Sequence, residues 1–168
     1  MRIRTAMIGL FVALLAADPP RGISLPVCKT RDLYIQQDSG GLAMGLQESD
    51  FVLTNRSTHA CTLFGYPSAT ALTKSGEIAR GFYFEHEPAL APAPDNLRPK
   101  AIRLSPGAKA WFMITSRDGT GMDDLSLCDA ATRVEVTPPG STQAFPQRFS
   151  FGSCTKTQGI TFLLPGLP

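Results

Sequence analysis

The sequence predicts an all-β domain, an antiparallel β-sandwich with two disulfides. Three observations carry that expectation: short β-prone runs separated by turn residues, four widely spaced cysteines, and an apolar leader ahead of them. The 15 Gly and 14 Pro among 168 residues punctuate the chain too often for long helices and suit short strands. Hydrophobic residues make up 43%, enough for a core, and the length suits one domain once the leader is removed.

Residues 1–17 read as a signal peptide. Arg2 and Arg4 make a positive start, residues 6–15 are apolar, and Ala16 and Ala17 precede Asp18-Pro19-Pro20. The site is imperfect, because Leu15 would lie three residues before a cut after Ala17. The apolar run is well short of the ~20 residues that span a bilayer, so no stable membrane insertion is expected after cleavage. The expected location is extracytoplasmic, periplasmic or secreted. Two of the 16 basic residues, but none of the 14 acidic ones, lie in this leader, so the rest of the chain is balanced. That balance gives no nucleic-acid footprint; polyanion binding would need a local patch that sequence alone does not reveal.

Residues 18–27 read as an extended lead-in and 28–168 as the β-sandwich domain. Leu33-Tyr34-Ile35 is the first β-prone run, and Gly40-Gly41 marks a turn. The stretch 45–55 gains strand character from Phe51 and closes at Asn55-Arg56-Ser57. That triplet is read as a turn, though it fits a glycosylation acceptor in a host with the machinery. Cys61-Thr62-Leu63-Phe64 is a short apolar run, bent away by Gly65-Tyr66-Pro67. Residues 69–73 lead into a hairpin-like Lys74-Ser75-Gly76-Glu77, and Gly81-Phe82-Tyr83-Phe84 is aromatic and β-prone. Residues 85–99 carry Pro88, Pro92, Pro94 and Pro99 without a period, and read as a long surface loop.

Ala101-Ile102-Arg103-Leu104 is a strand ended by the turn Ser105-Pro106-Gly107. Residues 108–115 form the best strand, with either Ala110, Phe112 and Ile114 or Trp111 and Met113 facing the core. Trp111 is read as packing, not ligand binding. Residues 133–137 alternate as a half-buried strand and turn at Pro138-Pro139-Gly140. Residues 143–151 are weakly β, and 160–164 make a last strand before a Pro-Gly end. Strands at this spacing suggest an antiparallel sandwich.

The four cysteines are Cys28, Cys61, Cys128 and Cys154. An even number in an exported chain reads as disulfides. A zinc site is disfavoured, because the chain has no C-x-x-C pair of the kind structural zinc gathers. Of the three possible pairings, Cys28 with Cys61 and Cys128 with Cys154 is favoured, each pair being nearest in sequence.

Cys61-Thr62-Leu63-Phe64-Gly65-Tyr66-Pro67, following Leu53-Thr54-Asn55 and Ser57, resembles the DUF4232 domain family of bacterial exported proteins and lipoproteins without established activity. Further markers are Cys28, Leu104-Ser105-Pro106-Gly107, Cys128, Pro138-Pro139-Gly140 and Cys154, so the resemblance covers residues 28–164. It implies an immunoglobulin-like β-sandwich outside the cytoplasm and transfers no catalytic residue. The chain departs from the family in its Pro-rich loop and in lacking a lipid-attachment cysteine, which argues against a tether.

Chemistry leaves few candidates. His59 and His86 are the two histidines, and neither G-x-S-x-G nor H-E-x-x-H occurs. A Ser-His-Asp set could still assemble in space. Disulfide-bonded cysteines offer no thiolate nucleophile. Asp118-Gly119-Thr120-Gly121-Met122-Asp123-Asp124, with Asp129, gathers oxygen ligands but lacks the EF-hand register, so it reads as a solvated loop. The glycines form no phosphate-binding fingerprint. Gly65-Tyr66-Pro67 reads as a structural corner ahead of a recognition bend. No catalytic, cofactor or metal site is expected. The expected role is an interaction module presenting loops 85–100 and 117–127 to an envelope protein or a glycan. The alternatives are a structural envelope protein and an enzyme using His59 or His86.

Overall fold

A computed structural model describes residues 24–38, 40–43, 46–87, 98–117, 130–151 and 157–168. Its elements follow the sequence's punctuation. One 3-10 turn (Thr30–Asp32) precedes β1 (Leu33–Gln37), β2 (Leu42–Ala43), β3 (Leu46–Asn55), β4 (Cys61–Leu63), β5 (Ser68–Leu72) and β6 (Tyr83–Glu87). Then come β7 (Ile102–Leu104), β8 (Lys109–Arg117), β9 (Arg133–Thr137), β10 (Arg148–Ser150), β11 (Thr157–Thr161) and β12 (Leu164–Pro165). The chain is all-β, and among the described residues no helix is long and apolar enough to cross a membrane.

Side-chain alternation decides the faces, because successive residues of a strand point to opposite sides. On β8 the inward set is Ala110, Phe112 and Ile114, at 0%, 0% and 2% exposure. Trp111 is half-buried on the opposite face. Register continues this inward row onto β3, where Phe51 lies opposite Phe112 and Leu53 opposite Ala110. Leu33 and Ile35 extend it onto β1.

The large sheet runs β1-β3-β8-β11-β6, with β2 added beside β3 and β12 beside β8. A second sheet runs β10-β9-β5, and β4 pairs with β7. Phe51 stacks on Phe112 with centroids 5.2 Å apart and meets Phe149 of β10 edge-on at 5.2 Å. The large sheet and the three-stranded sheet thus share one core, joined by Val134 and Val136 of β9 and Ala71 of β5.

Among the described strands β1–β12 the pairings are antiparallel except β6 with β11, which is parallel. An antiparallel neighbour can be reached by a tight hairpin, whereas a parallel one needs a long crossover. Here the chain passes through β7, β8, β9 and β10 between the two strands.

The lead-in is more than a tail. Val27 bridges Thr62 in parallel, the Cys28 N–H donates to the Thr62 carbonyl, and the Thr62 N–H donates to the Pro26 carbonyl. Residues 26–28 therefore add an edge to β4, beside the disulfide Cys28–Cys61. Cys128 and Cys154, the favoured second pair, lie outside the described residues, as does the leader.

Candidate functional site

Gly65-Tyr66-Pro67 organises one end of the molecule. Gly65 has φ +95°, a left-handed conformation that glycine adopts without steric cost, so the chain can leave β4 sharply. Its carbonyl accepts a 3.1 Å hydrogen bond from the Leu163 N–H. The Tyr66 ring stacks on His86 of β6 at 3.9 Å and 6°, and the Phe162 ring meets it edge-on at 5.7 Å. Through these contacts the motif holds the C-terminal segment. His86, expected in a loop, lies in β6 instead.

That clamp acts where the last strand breaks. β11 pairs with β8 at Gly159 and Ile160, and β12 pairs with it again at Leu164 and Pro165. Between them Phe162 and Leu163 leave the ladder. The freed Met113 N–H is satisfied by the Thr161 hydroxyl at 2.9 Å. A ladder break of this kind re-aims side chains, and here it turns residues 162–165 toward β7.

A cleft of about 430 Å3 lies between these segments. Residues 162–165 supply an apolar wall, and Ala101 and Ile102 line it opposite. Arg98, Lys100 and Arg103 line it as well, all three exposed. The ion pairs among the described residues lie elsewhere, so none of these cations is neutralised by a described carboxylate. The volume falls in the range of small-ligand sites, and the mix of apolar wall and a few charged groups is typical of them.

A second depression, of about 720 Å3, is lined by Lys74, Arg133, Arg148 and Phe149 with two hydroxyl residues. It is broad, Phe149 is its one apolar side chain, and Arg148 is already paired to Glu135 at 3.7 Å. It offers less to hold a ligand.

Acidic groups gather on the face of the large sheet that carries Trp111. Glu48 lies opposite Thr115 and Asp50 opposite Met113. Burial, then the neighbouring Glu48 and Asp38 charges, push the Asp50 carboxyl above its ordinary range. On the same face Thr115 donates a 2.8 Å bond to Glu87 Oε2. Gly159 makes that bond possible, because a Cβ there would overlap both partners.

The remaining sequence candidates divide. His59 Nε2 lies 4.0 Å from Asp32 Oδ2, while the Ser57 hydroxyl lies within bonding reach of Asn55 Oδ1 and the His59 carbonyl. These bonds describe a closed turn in which the hydroxyl engages Asn55 Oδ1 and the His59 main chain. Asn55 is fully buried, with its amide donating to the Leu104 and His59 carbonyls, so it is a core polar group and not a glycan acceptor in the folded domain. Residues 118–124 and Asp129 lie outside the described residues, as do residues 88–97 of the Pro-rich segment. The far end of that segment, 98–100, reaches the cleft. Sequence reading missed the cleft because its two sides are about 60 residues apart.

A family model described as "Domain of unknown function (DUF4232)" matches residues 28–161, most of the chain. No curated protein and no solved structure matches it.

Proposed function

The chain belongs to the DUF4232 family, and from that premise we propose an exported, non-catalytic binding module of the cell envelope or secreted space, built as an immunoglobulin-like β-sandwich. The cleft between residues 98–103 and 162–165 is its ligand site. One observation carries this reading: cations that no described carboxylate neutralises stand over an apolar wall that a clamp holds in place. A purely structural envelope protein has no need of such a clamped, charged recess. The leader favours export, and the Cys28–Cys61 bridge favours an oxidising compartment. The second bridge is proposed between Cys128 and Cys154. The sandwich reading is supported by the shared core under two sheets.

Binding suits this site better than catalysis. Among the described residues, the side chains lining the cleft include no hydroxyl, thiol, carboxylate or imidazole to partner Lys100 in acid–base or nucleophilic chemistry.

The test places a photo-crosslinking side chain at Lys100, at Lys74 in the second depression, or at Glu77 on the same turn as Lys74, in the producing cell. A recurrent adduct from position 100 alone supports the cleft as the site. Adducts from position 74 alone, or equal background from all three, would remove it.

A further inference from the structure

We infer that the cleft takes an amphiphile with one anionic head, phosphate or carboxylate, and a short apolar body. This rests on the reading of the cleft as a ligand site and names its ligand class.

Three facts select that chemistry. Arg98, Lys100 and Arg103 bring three like charges to one recess where no described carboxylate pairs with them, and a bound anion relieves their mutual repulsion. All three are exposed, so a small hydrated anion alone gains little from them in water. The wall supplies what the cations lack: Leu164 and Pro165, backed by the buried Phe162, present an apolar surface that an attached hydrocarbon or ring would cover. A neutral apolar ligand would leave the cations unused. A nucleic acid needs a longer track of cations than these three.

The clamp makes the site stiff. Leu163 is tied to Gly65, and Phe162 is braced by Tyr66, which His86 covers. A wall held before the ligand arrives loses little freedom on binding. Leu164 is also the register partner of Trp111, the sole tryptophan, so the protein carries its own fluorescence reporter beside the cleft.

The test titrates the mature protein with monomeric octyl phosphate, with inorganic phosphate and octyl glucoside as comparisons, by calorimetry and Trp111 fluorescence. Octyl phosphate is expected to bind one saturable site at least ~10-fold more tightly than either comparison. Arg103→Gln, at an exposed position that leaves the core intact, is expected to weaken it about tenfold, and added salt should weaken it further. Leu164→Asp should remove binding. Equal binding of octyl glucoside would overturn the anionic head while leaving the cleft a ligand site. Equal binding of inorganic phosphate would overturn the apolar body. Saturable binding by none of the probes overturns the inference, and the crosslinking from position 100 then judges the broader reading separately. Vesicle pelleting identifies the source. Retention on phosphatidylglycerol but not phosphatidylcholine vesicles points to a membrane lipid, and monomer binding without retention to a free amphiphile; both uphold the chemistry.

Discussion

Removing the Cys28–Cys61 bridge should cost the domain about 4 kcal/mol. The bridge joins residues 33 apart in sequence, and closing a loop of that length removes about 12 cal/mol/K of entropy from the unfolded chain. At 25 °C that entropy is worth about 4 kcal/mol in the chain-entropy model. Both sulfurs are buried, so Cys28→Ala/Cys61→Ala adds a small void to the loss. The folded state should survive, because the hydrogen bonds between residues 26–28 and Thr62 do not depend on the sulfurs. Urea denaturation of the double variant should show the full loss, and its thermal midpoint should fall by on the order of 10 °C. The slope against urea should rise slightly, since the unfolded chain becomes less compact. A loss below about 1 kcal/mol would refute the reasoning: backbone pairing would then hold the lead-in, and the bridge would add little.

Three further outcomes follow from the structure. Gly159→Ala should cost roughly 1–2 kcal/mol by displacing Glu87 from Thr115, and should cost less in a Glu87→Ala background; equal costs by chemical denaturation would contradict the close approach. Tyr66→Ala should lose roughly 2 kcal/mol and the cleft's ligand together, while Tyr66→Phe keeps both; calorimetry and titration on the same samples check this. The raised Asp50 carboxyl favours its proton in the folded state, so its contribution to stability is fully present below the unfolded carboxylate range and is lost as pH rises through the folded value. Asp50→Asn should therefore stabilise the protein at neutral pH, by an amount that shrinks in acid; a pH series of thermal melts showing a constant or opposite difference would contradict this.

Local chemistry was legible in the sequence, and partnership was not. The row Ala110, Phe112 and Ile114 faces the core because strand alternation is local, and Arg133–Thr137 alternates for the same reason. Turns at Gly65, Gly76, Gly107 and Gly140 all place glycine at positive φ, as their punctuation suggests. β3 extends back to Leu46 through a polar stretch, because Gln47, Glu48 and Asp50 are half-buried and carry no clear period. The parallel pairing of β6 with β11 has no sequence signature, since a strand's pattern records which face is buried and not which strand lies beside it. The cleft was hidden for a similar reason. Its cations vanish in a balanced net charge, and its wall reads as an ordinary last strand until the ladder break at Phe162 re-aims it.

The most direct test of the central claim is native mass spectrometry of the protein isolated from its producing cell, wild type beside Arg103→Gln and Leu164→Asp. A ligand-sized mass carried by the wild type and lost from both variants is the expected result. A bare wild-type mass, or an adduct that both variants retain, would contradict a ligand held in this cleft.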